Sequence, residues 1–439
     1  MGHAGWLVEA GPLRLLFDPL LGDSHAGGVM AVWPRRTYDA ASLRADFVFV
    51  THAHADHFDL ESLAVLAAAD PETVVVTSEP LVQEVASLLG FRRVELLPPG
   101  TRVDLAEGVR VTLTPSAAPE IEWGVLIEEG SQAAWNLVDT VFEDPSEAAR
   151  LVREVLGERQ LDLAIAPLQP MCEVALATAG HLGLDDAVYH HLLETAHRTG
   201  ARFLVPGACG EIFLPPFEAM NRCVFPVSRE RARRDLLERW PAARVLAPTI
   251  GERLDLDSDG VHLESSDLGA RGTPSSDPRL FRPWDAGPIR DPNLGAIPER
   301  ELTSRLDAWI AGPLRDALVA RYSGAARELR FALELVLPTG STGRTVTARG
   351  RLEDGLDPEY DALVSVSASM LLDVVEGRRG WFEPLLGGMV RGVVRRSATA
   401  GERPIPPIFL YEAIGYRESN ERATRSRARE LAERLRHAP

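Results

Sequence analysis

The chain has 439 residues, 45% of them hydrophobic and 25% charged, and a formal net charge of −17 at pH 7. That length accommodates two or three domains, and the composition is that of an ordinary soluble globular protein. The excess of acid argues against nucleic acid as a partner, because neutralising phosphates needs a basic face. No apolar run approaches the roughly 18 residues that span a bilayer, and nothing reads as a secretory signal, so the expected location is cytoplasmic. The first six residues run straight into a strand pattern, which leaves little room for a leader. Cys172, Cys209 and Cys223 are too few and too scattered for a disulfide framework or an iron–sulfur motif. Every basic residue is arginine, a good partner for phosphates and carboxylates.

In chain order, residues 6–9 and 13–17 predict a hairpin ending at Asp18. Residues 47–50, Phe-Val-Phe-Val, predict an apolar strand that stops at a histidine-rich run. A helix over 60–69, a strand over 74–76 and a helix over 81–89 follow. Strand patterns then dominate, at 109–113, 124–127 and 134–138. After them come a helix over 147–156, a strand over 161–166, a helix over 184–198 and a strand over 203–205. Two blocks of strands with interleaved helices predict an α/β unit over 1–250, two sheets covered by helices on both outer faces.

Residues 251–299 are rich in Asp, Ser, Gly and Pro and read as a linker or wrapping arm. Within them Asp255, Asp257, Asp259 and Gly260 resemble the start of a calcium loop. The twelfth position of such a loop needs an acid and here is Ser266, so a solvated turn is expected. A smaller α+β domain is predicted over 300–397, with a helix over 306–322, strands over 329–337, 345–352 and 362–367, and a helix over 369–376. Residues 398–439 form a tail whose Arg/Glu helix, 418–437, is expected to present a solvated face.

The chemistry concentrates after the strand 47–50, in Thr51-His52-Ala53-His54-Ala55-Asp56-His57. Four ligand-capable side chains in six residues, directly after a buried strand, rarely arise for packing reasons. The two-residue spacing lets His52 and His54 converge on one metal while Asp56 and His57 turn toward a second. Asp18 and Asp139 stand at the ends of other strands.

This run, with Asp18 and Asp139, resembles the metallo-β-lactamase superfamily, which implies an αββα sandwich for residues 1–250. The resemblance implies that Asp139 bridges two metals and that Asp18 supports the loop. Hydrolytic members supply a third histidine after a Thr-Pro turn and a final one after a later strand. Here the segment 114–123 offers Glu120 and Glu122 instead, and Pro206-Gly207-Ala208-Cys209 offers no histidine. Glu120 and Glu122 lie on the same side of an extended segment, so both are candidates. His181 is the nearest alternative for the last ligand, and His3 is placed to face the cleft. His190, His191 and His197 are expected to serve the surface or core of their helix. Cys209 is left out because a thiolate beside iron and O₂ would oxidise.

Exchanging an imidazole for a carboxylate moves the site toward hard oxygen donors, which suit iron better than zinc. In this the chain is similar to the diiron monooxygenases of natural-product pathways, which hydroxylate carrier-protein-bound amino acids or diterpenoid acyl-CoA esters. Residues 210–226 also resemble the CMP-N-acetylneuraminate hydroxylase group, yet no Cys/His pairs are present to hold its Rieske cluster. Residues 300–397 are similar in element order to the sterol-carrier-protein fold, which implies an apolar tunnel.

The resemblance implies a non-haem diiron monooxygenase with two Fe ions and O₂ as co-substrate. It would hydroxylate a C–H bond of a hydrophobic precursor in specialised metabolism, carried as a CoA or carrier-protein thioester. An external ferredoxin or reductase would donate electrons. No nucleic acid and no membrane span are expected, and a homo-oligomer is allowed. The competing expectations are a dizinc hydrolase of a lactone, phosphodiester or thioester, and a lipid- or acyl-binding protein with a degenerate metal site.

Overall fold

The computed structural model describes residues 2–34, 43–117, 122–170, 173–179, 184–208, 210–222, 224–248, 250–257, 259–265, 287–395 and 403–437. Strands β1 (Trp6–Ala10) and β2 (Leu13–Phe17) pair antiparallel across a turn where Gly11 takes φ +54°. After β3 (Met30–Val32) and β4 (Phe47–Phe49) comes α1 (Leu60–Ala69), capped by the Asp59 side chain on the Ser62 amide. Then follow β5 (Val74–Thr77), α2 (Pro80–Leu89) with proline in its first turn, and β6 (Arg93–Leu96). These strands form one sheet in the order β1-β2-β4-β5-β6, parallel from β2 onward.

The second sheet begins as an antiparallel meander of β7 (Arg102–Ala106), β8 (Val109–Pro115), β9 (Trp123–Glu129) and β10 (Gln132–Asn136). The helix α3 (Ser146–Leu156) leads to β11 (Leu163–Pro167), and α4 (Glu173–Ala179) and α5 (Asp186–Arg198) lead to β12 (Phe203–Gly207). Both added strands run parallel to β10, giving the order β12-β11-β10-β9-β8-β7. A short β13 (Glu211–Phe213) pairs back onto β3, and α6 (Arg229–Arg239) follows.

Alternation along each strand builds the layers. Leu15, Phe17, Phe49 and Val76 point between the sheets, against Val111, Leu113, Trp123 and Val125. Their neighbours Leu16, Val48 and Val50 face outward onto α1 and α2. On the other side Trp135, Ala164 and Ala166 pack under α3, α5 and α6. This is the four-layer αββα sandwich expected from the strand and helix order, and each fully buried Leu or Phe contributes about 1.5–3 kcal/mol to it.

Several expectations are corrected. The predicted strand 134–138 ends at Asn136, because Val138 takes φ +55° and turns the chain toward the sheet edge. Of the linker or wrapping arm expected over 251–299, residues 251–265 are an ordered piece that packs on the first unit rather than a free linker. They form a hairpin, β14 (Glu252–Leu256) and β15 (Val261–Ser265), whose Leu254 and Val261 pack on Leu163, Ile165 and Phe203. Its acidic run is a turn in which Asp257 Oδ1 accepts the amides of Asp259 and Gly260 at 2.8 and 3.0 Å.

The second unit opens with α7 (Glu299–Trp309), a π-helical turn at Ile310–Leu314 that houses Pro313, and α8 (Arg315–Tyr322). One helix was predicted there; proline lacks the amide that would continue it. Then come β16 (Arg330–Val336), β17 (Ser341–Thr347), β18 (Leu352–Asp354), β19 (Ala362–Ser367), α9 (Ala368–Val375), α10 (Phe382–Leu386) and β20 (Val390–Val394). The sheet order is β18-β17-β16-β19-β20. The predicted strand 345–352 is divided by a turn at Gly350, φ +86°.

The tail departs most from expectation. Helix α11 (Tyr416–His437) returns to the first unit and lies across α1 and α2, with Ala428 and Leu431 buried in their core. Arg425 adds an ion pair to Glu84 at 2.9 Å. Its apolar stripe is built mostly of alanine, so it does not stand out among the Arg and Glu residues. No helix among the described residues is long and apolar enough to cross a membrane.

Candidate metal centre

The strands β2, β4 and β10 all end at one edge of the sandwich, and each delivers a side chain there. After β4 the amides of His57 and Phe58 both donate to the His54 carbonyl, at 3.0 and 2.8 Å. The loop therefore curls through one turn, which separates the His52/His54 pair from Asp56 and His57. Four non-glycine residues at this edge sit at positive φ: His3 (+48°), Asp18 (+39°), Val138 (+55°) and Ala208 (+45°). Such conformations cost energy and cluster where a scaffold holds functional groups.

Three sets of donor atoms each lie within 4.8 Å of one another: His52, His54 and Glu122; His52, His57 and Asp139; and His3, Asp56 and His57. Asp139 Oδ2 lies 3.1 Å from His57 Nε2 and 3.8 Å from His52 Nε2, between the two halves. Asp56 Oδ2 is 3.4 Å from His57 Nε2 and 3.4 Å from His3 Nε2. Asp18 stands behind: its Oδ2 meets His57 Nδ1 at 3.0 Å, and its carboxylate accepts from the Thr51 amide and hydroxyl, both at 2.8 Å.

The electrostatics follow from burial and mutual charge. Burial lowers the His52 pKa well below the usual histidine value, and His57 and His54 push it further down. Burial acts the same way on His57, but Asp139 and Asp56 outweigh it and raise that imidazole well above the usual value. Burial would raise Asp139, yet the charge of the neighbouring His57 brings it down to about 2.

His52 Nε2, His57 Nε2, both ring nitrogens of His3, Asp56 Oδ1 and Glu211 Oε2 are buried without a hydrogen-bond partner among the described residues. Each such orphan costs about 1–3 kcal/mol, so a group of them at one edge fits a bound cation rather than a packed core. The donor set of imidazoles and carboxylates suits a pair of transition-metal ions.

Of the residues singled out in the sequence, His52, His54, Asp56, His57, Glu122 and Asp139 converge. His3, expected to face the cleft, joins Asp56 and His57. Glu120, His181 and Cys209 lie outside the described residues. His191 and His197 sit elsewhere, the first on the Phe142 carbonyl at 2.7 Å and the second stacked on Trp240 at 4.2 Å.

Two residues escaped sequence reasoning. Glu211, fully buried on β13, places Oε1 2.5 Å from His25 Nε2 and Oε2 3.5 Å from His3 Nδ1. Burial pushes its carboxyl up to about 8. An acid opening an apolar strand was the available signal. The second unit also reaches the centre, where the Phe382 ring stacks on His54 at 5.4 Å. Arg379 Nη1 donates to the Gly27 carbonyl at 3.1 Å, and a Cβ on Gly27 would come within 2.8 Å of the Glu383 carboxylate.

Residues 13–206 match the model of the beta-lactamase superfamily domain. They form a metallo-β-lactamase superfamily domain. The chain is 26% identical over 181 residues to a UPF0173 metal-dependent hydrolase of Opitutus terrae, covering 38% of this chain and 70% of that protein. It is 30% identical over 148 residues to a protein of the same description from Salinibacter ruber, 32% of this chain and 60% of that one. Among solved structures it is similar to CmlA, a diiron β-hydroxylase from Streptomyces venezuelae, at 18% identity and a TM-score of 0.38, covering 56% of this chain and 52% of that one.

Proposed function

We propose that the chain is a metal-dependent enzyme of this superfamily that works as a non-haem diiron hydroxylase. The observation that carries the reading is Glu122 beside His52 and His54, a carboxylate where a third histidine would complete a zinc-type set. His52, His54 and Glu122 would hold one iron and His3, Asp56 and His57 the other, with Asp139 between them. Once bound, the iron pair supplies O₂ activation for C–H hydroxylation.

The chain's own residues set the stage. Asp18 holds the proton of His57 on Nδ1, which leaves Nε2 as a lone-pair donor. Thr51 fixes Asp18 in turn, and Phe382 shields the outer face of His54 from water. The substrate would be a hydrophobic precursor carried as a CoA or carrier-protein thioester, with electrons from a separate ferredoxin or reductase.

Iron and zinc quantification on protein grown with both metals tests this. The expected result is two iron ions per chain, an iron-dependent absorption that changes on reduction, and O₂ consumption. Two zinc ions with neither property would overturn it. Glu122→His is expected to shift the metal preference toward zinc.

The relatives named as metal-dependent hydrolases support a second reading, a dizinc hydrolase of a lactone, phosphodiester or thioester. Turnover of such an ester without O₂ or reductant would establish it.

A further inference from the structure

Strand β13 begins with an acid that packing does not explain. Glu211 is fully buried and stands opposite Val32 in the β3–β13 pair, two residues before Phe213 in an apolar cluster. A carboxyl group there is costly unless its oxygens find partners. Oε1 has one, His25 Nε2 at 2.5 Å. Oε2 has no hydrogen-bond partner among the described residues. It faces His3 Nδ1 across 3.5 Å, and that nitrogen is likewise buried without a hydrogen-bond partner. Closing the gap by about half an ångström would bring the pair into hydrogen-bond range and satisfy both atoms at once.

The backbone holds the three side chains in this order. The Trp33 amide donates to the Gly210 carbonyl at 2.7 Å, and the His25 amide donates to the Met30 carbonyl at 2.8 Å, so β3 anchors both Glu211 and His25. Gly210 lets the His3 backbone approach, since a Cβ there would stand 2.7 Å from the His3 amide nitrogen. His3 itself is held at φ +48°. Its other ring nitrogen, Nε2, lies 3.4 Å from Asp56 Oδ2 and belongs to the donor set with Asp56 and His57. The imidazole is thus strung between the donor cluster on one side and a carboxyl group on the other.

A metal-binding imidazole gives the N–H of its free ring nitrogen to a carboxylate or carbonyl, which fixes the tautomer and the ring orientation. Asp18 stands in that relation to His57. Glu211 stands in it to His3. The short contact of Oε1 with His25 Nε2 needs one proton between them. On either atom, that proton leaves the lone pairs of Oε2 free to accept from His3.

We propose that Glu211 is the positioning residue of His3, accepting its Nδ1 proton on Oε2 and leaving the Nε2 lone pair for the ion held with Asp56 and His57. The proposal rests on the two-metal reading of the centre and not on the choice between iron and zinc. It gives that ion two supported histidines, with Asp18 behind His57 and Glu211 behind His3.

The test titrates full-length apo protein with Zn²⁺ and, without air, with Fe²⁺ against a competing chelator. Glu211→Met keeps the length of the side chain and removes both oxygens. It should weaken one of the two ions by about 10–100-fold and leave the other unchanged. Glu211→Gln, whose amide oxygen can accept from His3 while its NH₂ group faces His25, should restore most of that loss. His3→Ala should lose the same ion, and adding Glu211→Met to it should cost no further affinity. Additive losses in this cycle, or wild-type affinity for both ions in Glu211→Met, would overturn the proposal. A second readout needs no substitution at Glu211 and so survives a variant that fails to fold. In heteronuclear NMR spectra of the zinc-loaded protein, His3, assigned by its absence from His3→Ala, should carry its proton on Nδ1; a proton on Nε2 would also overturn the proposal. The expected cycle in a zinc-bound, O₂-inert protein would remove the hydroxylase reading and leave this role. Additive losses in an iron-loaded, O₂-consuming protein would do the reverse.

Discussion

Asp18 joins three parts of the centre: the end of β2, the Thr51 backbone and the ring of His57. Asp18→Ala removes the acceptor that sets the His57 tautomer and strands the buried Thr51 amide. Losing an outer partner of a metal-binding histidine costs about 10–100-fold in metal affinity. An orphaned buried donor costs about 1–3 kcal/mol of stability. Competition with a chelator should show the first and urea unfolding the second; unchanged affinity would mean that Asp18 serves the loop alone. At this scale the sequence revealed the donors local to one loop and, through the family resemblance, Asp18, Asp139 and the cleft-facing His3. His52, His54, Asp56 and His57 share one loop, and Glu120 and Glu122 both stood out as acids where a histidine was missed. Glu211 and His25 come from two other segments, and no spacing rule relates them to that loop.

Two elements carry consequences that composition hides. Helix α11 covers α1 and α2 through Ala428 and Leu431, so it is a structural layer of the first unit. Leu431→Ala should destabilise the protein by about 2–4 kcal/mol in denaturant unfolding. Hydrogen exchange should then rise in α1 and α2 as well as in α11. Loss of protection in α11 alone would make it a fraying appendage.

Helix α10 carries Glu383, whose carboxyl is pushed up by burial against the opposing pull of Arg427 and Arg379. Arg427, from α11, stands 3.4 Å away and also reaches Glu61 at 3.8 Å; Arg379 pairs with Asp373 at 3.1 Å. With the folded pKa above the unfolded value of about 4.3, the folded state binds the proton more tightly. Its stabilising effect is complete below about pH 4.3 and is lost as pH rises through the folded pKa. The stability difference between wild type and Glu383→Gln should therefore move in favour of the glutamine variant as pH rises from about 4 to about 7. Parallel curves of urea midpoint against pH would contradict this.

The two units share a core. Met370, Leu386 and Met389 from the second pack with Met30, Phe213, Phe217 and Met220 from the first, and Phe382 touches His54. Heat should therefore unfold the molecule in a single transition. Leu386→Ala should lower that transition as a whole, at a cost of about 2–4 kcal/mol. Two separable calorimetric transitions would show that the units are energetically independent.

By itself the sequence determined the sandwich and the metal-binding loop. Both are written in short-range terms: short apolar runs such as Leu15, Leu16 and Phe17 set between helical patterns, and four donors within six residues. Tertiary structure decided the rest, because it depends on contacts between segments far apart in the chain. It brought Glu122 to His52 and His54, put His3 and Glu211 beside Asp56, and turned an Arg/Glu tail into a helix that covers α1 and α2. It also set the second unit against the metal centre. An alanine stripe, a lone buried acid and a positive-φ histidine acquire meaning only from what packs against them, and pattern along one chain does not record that.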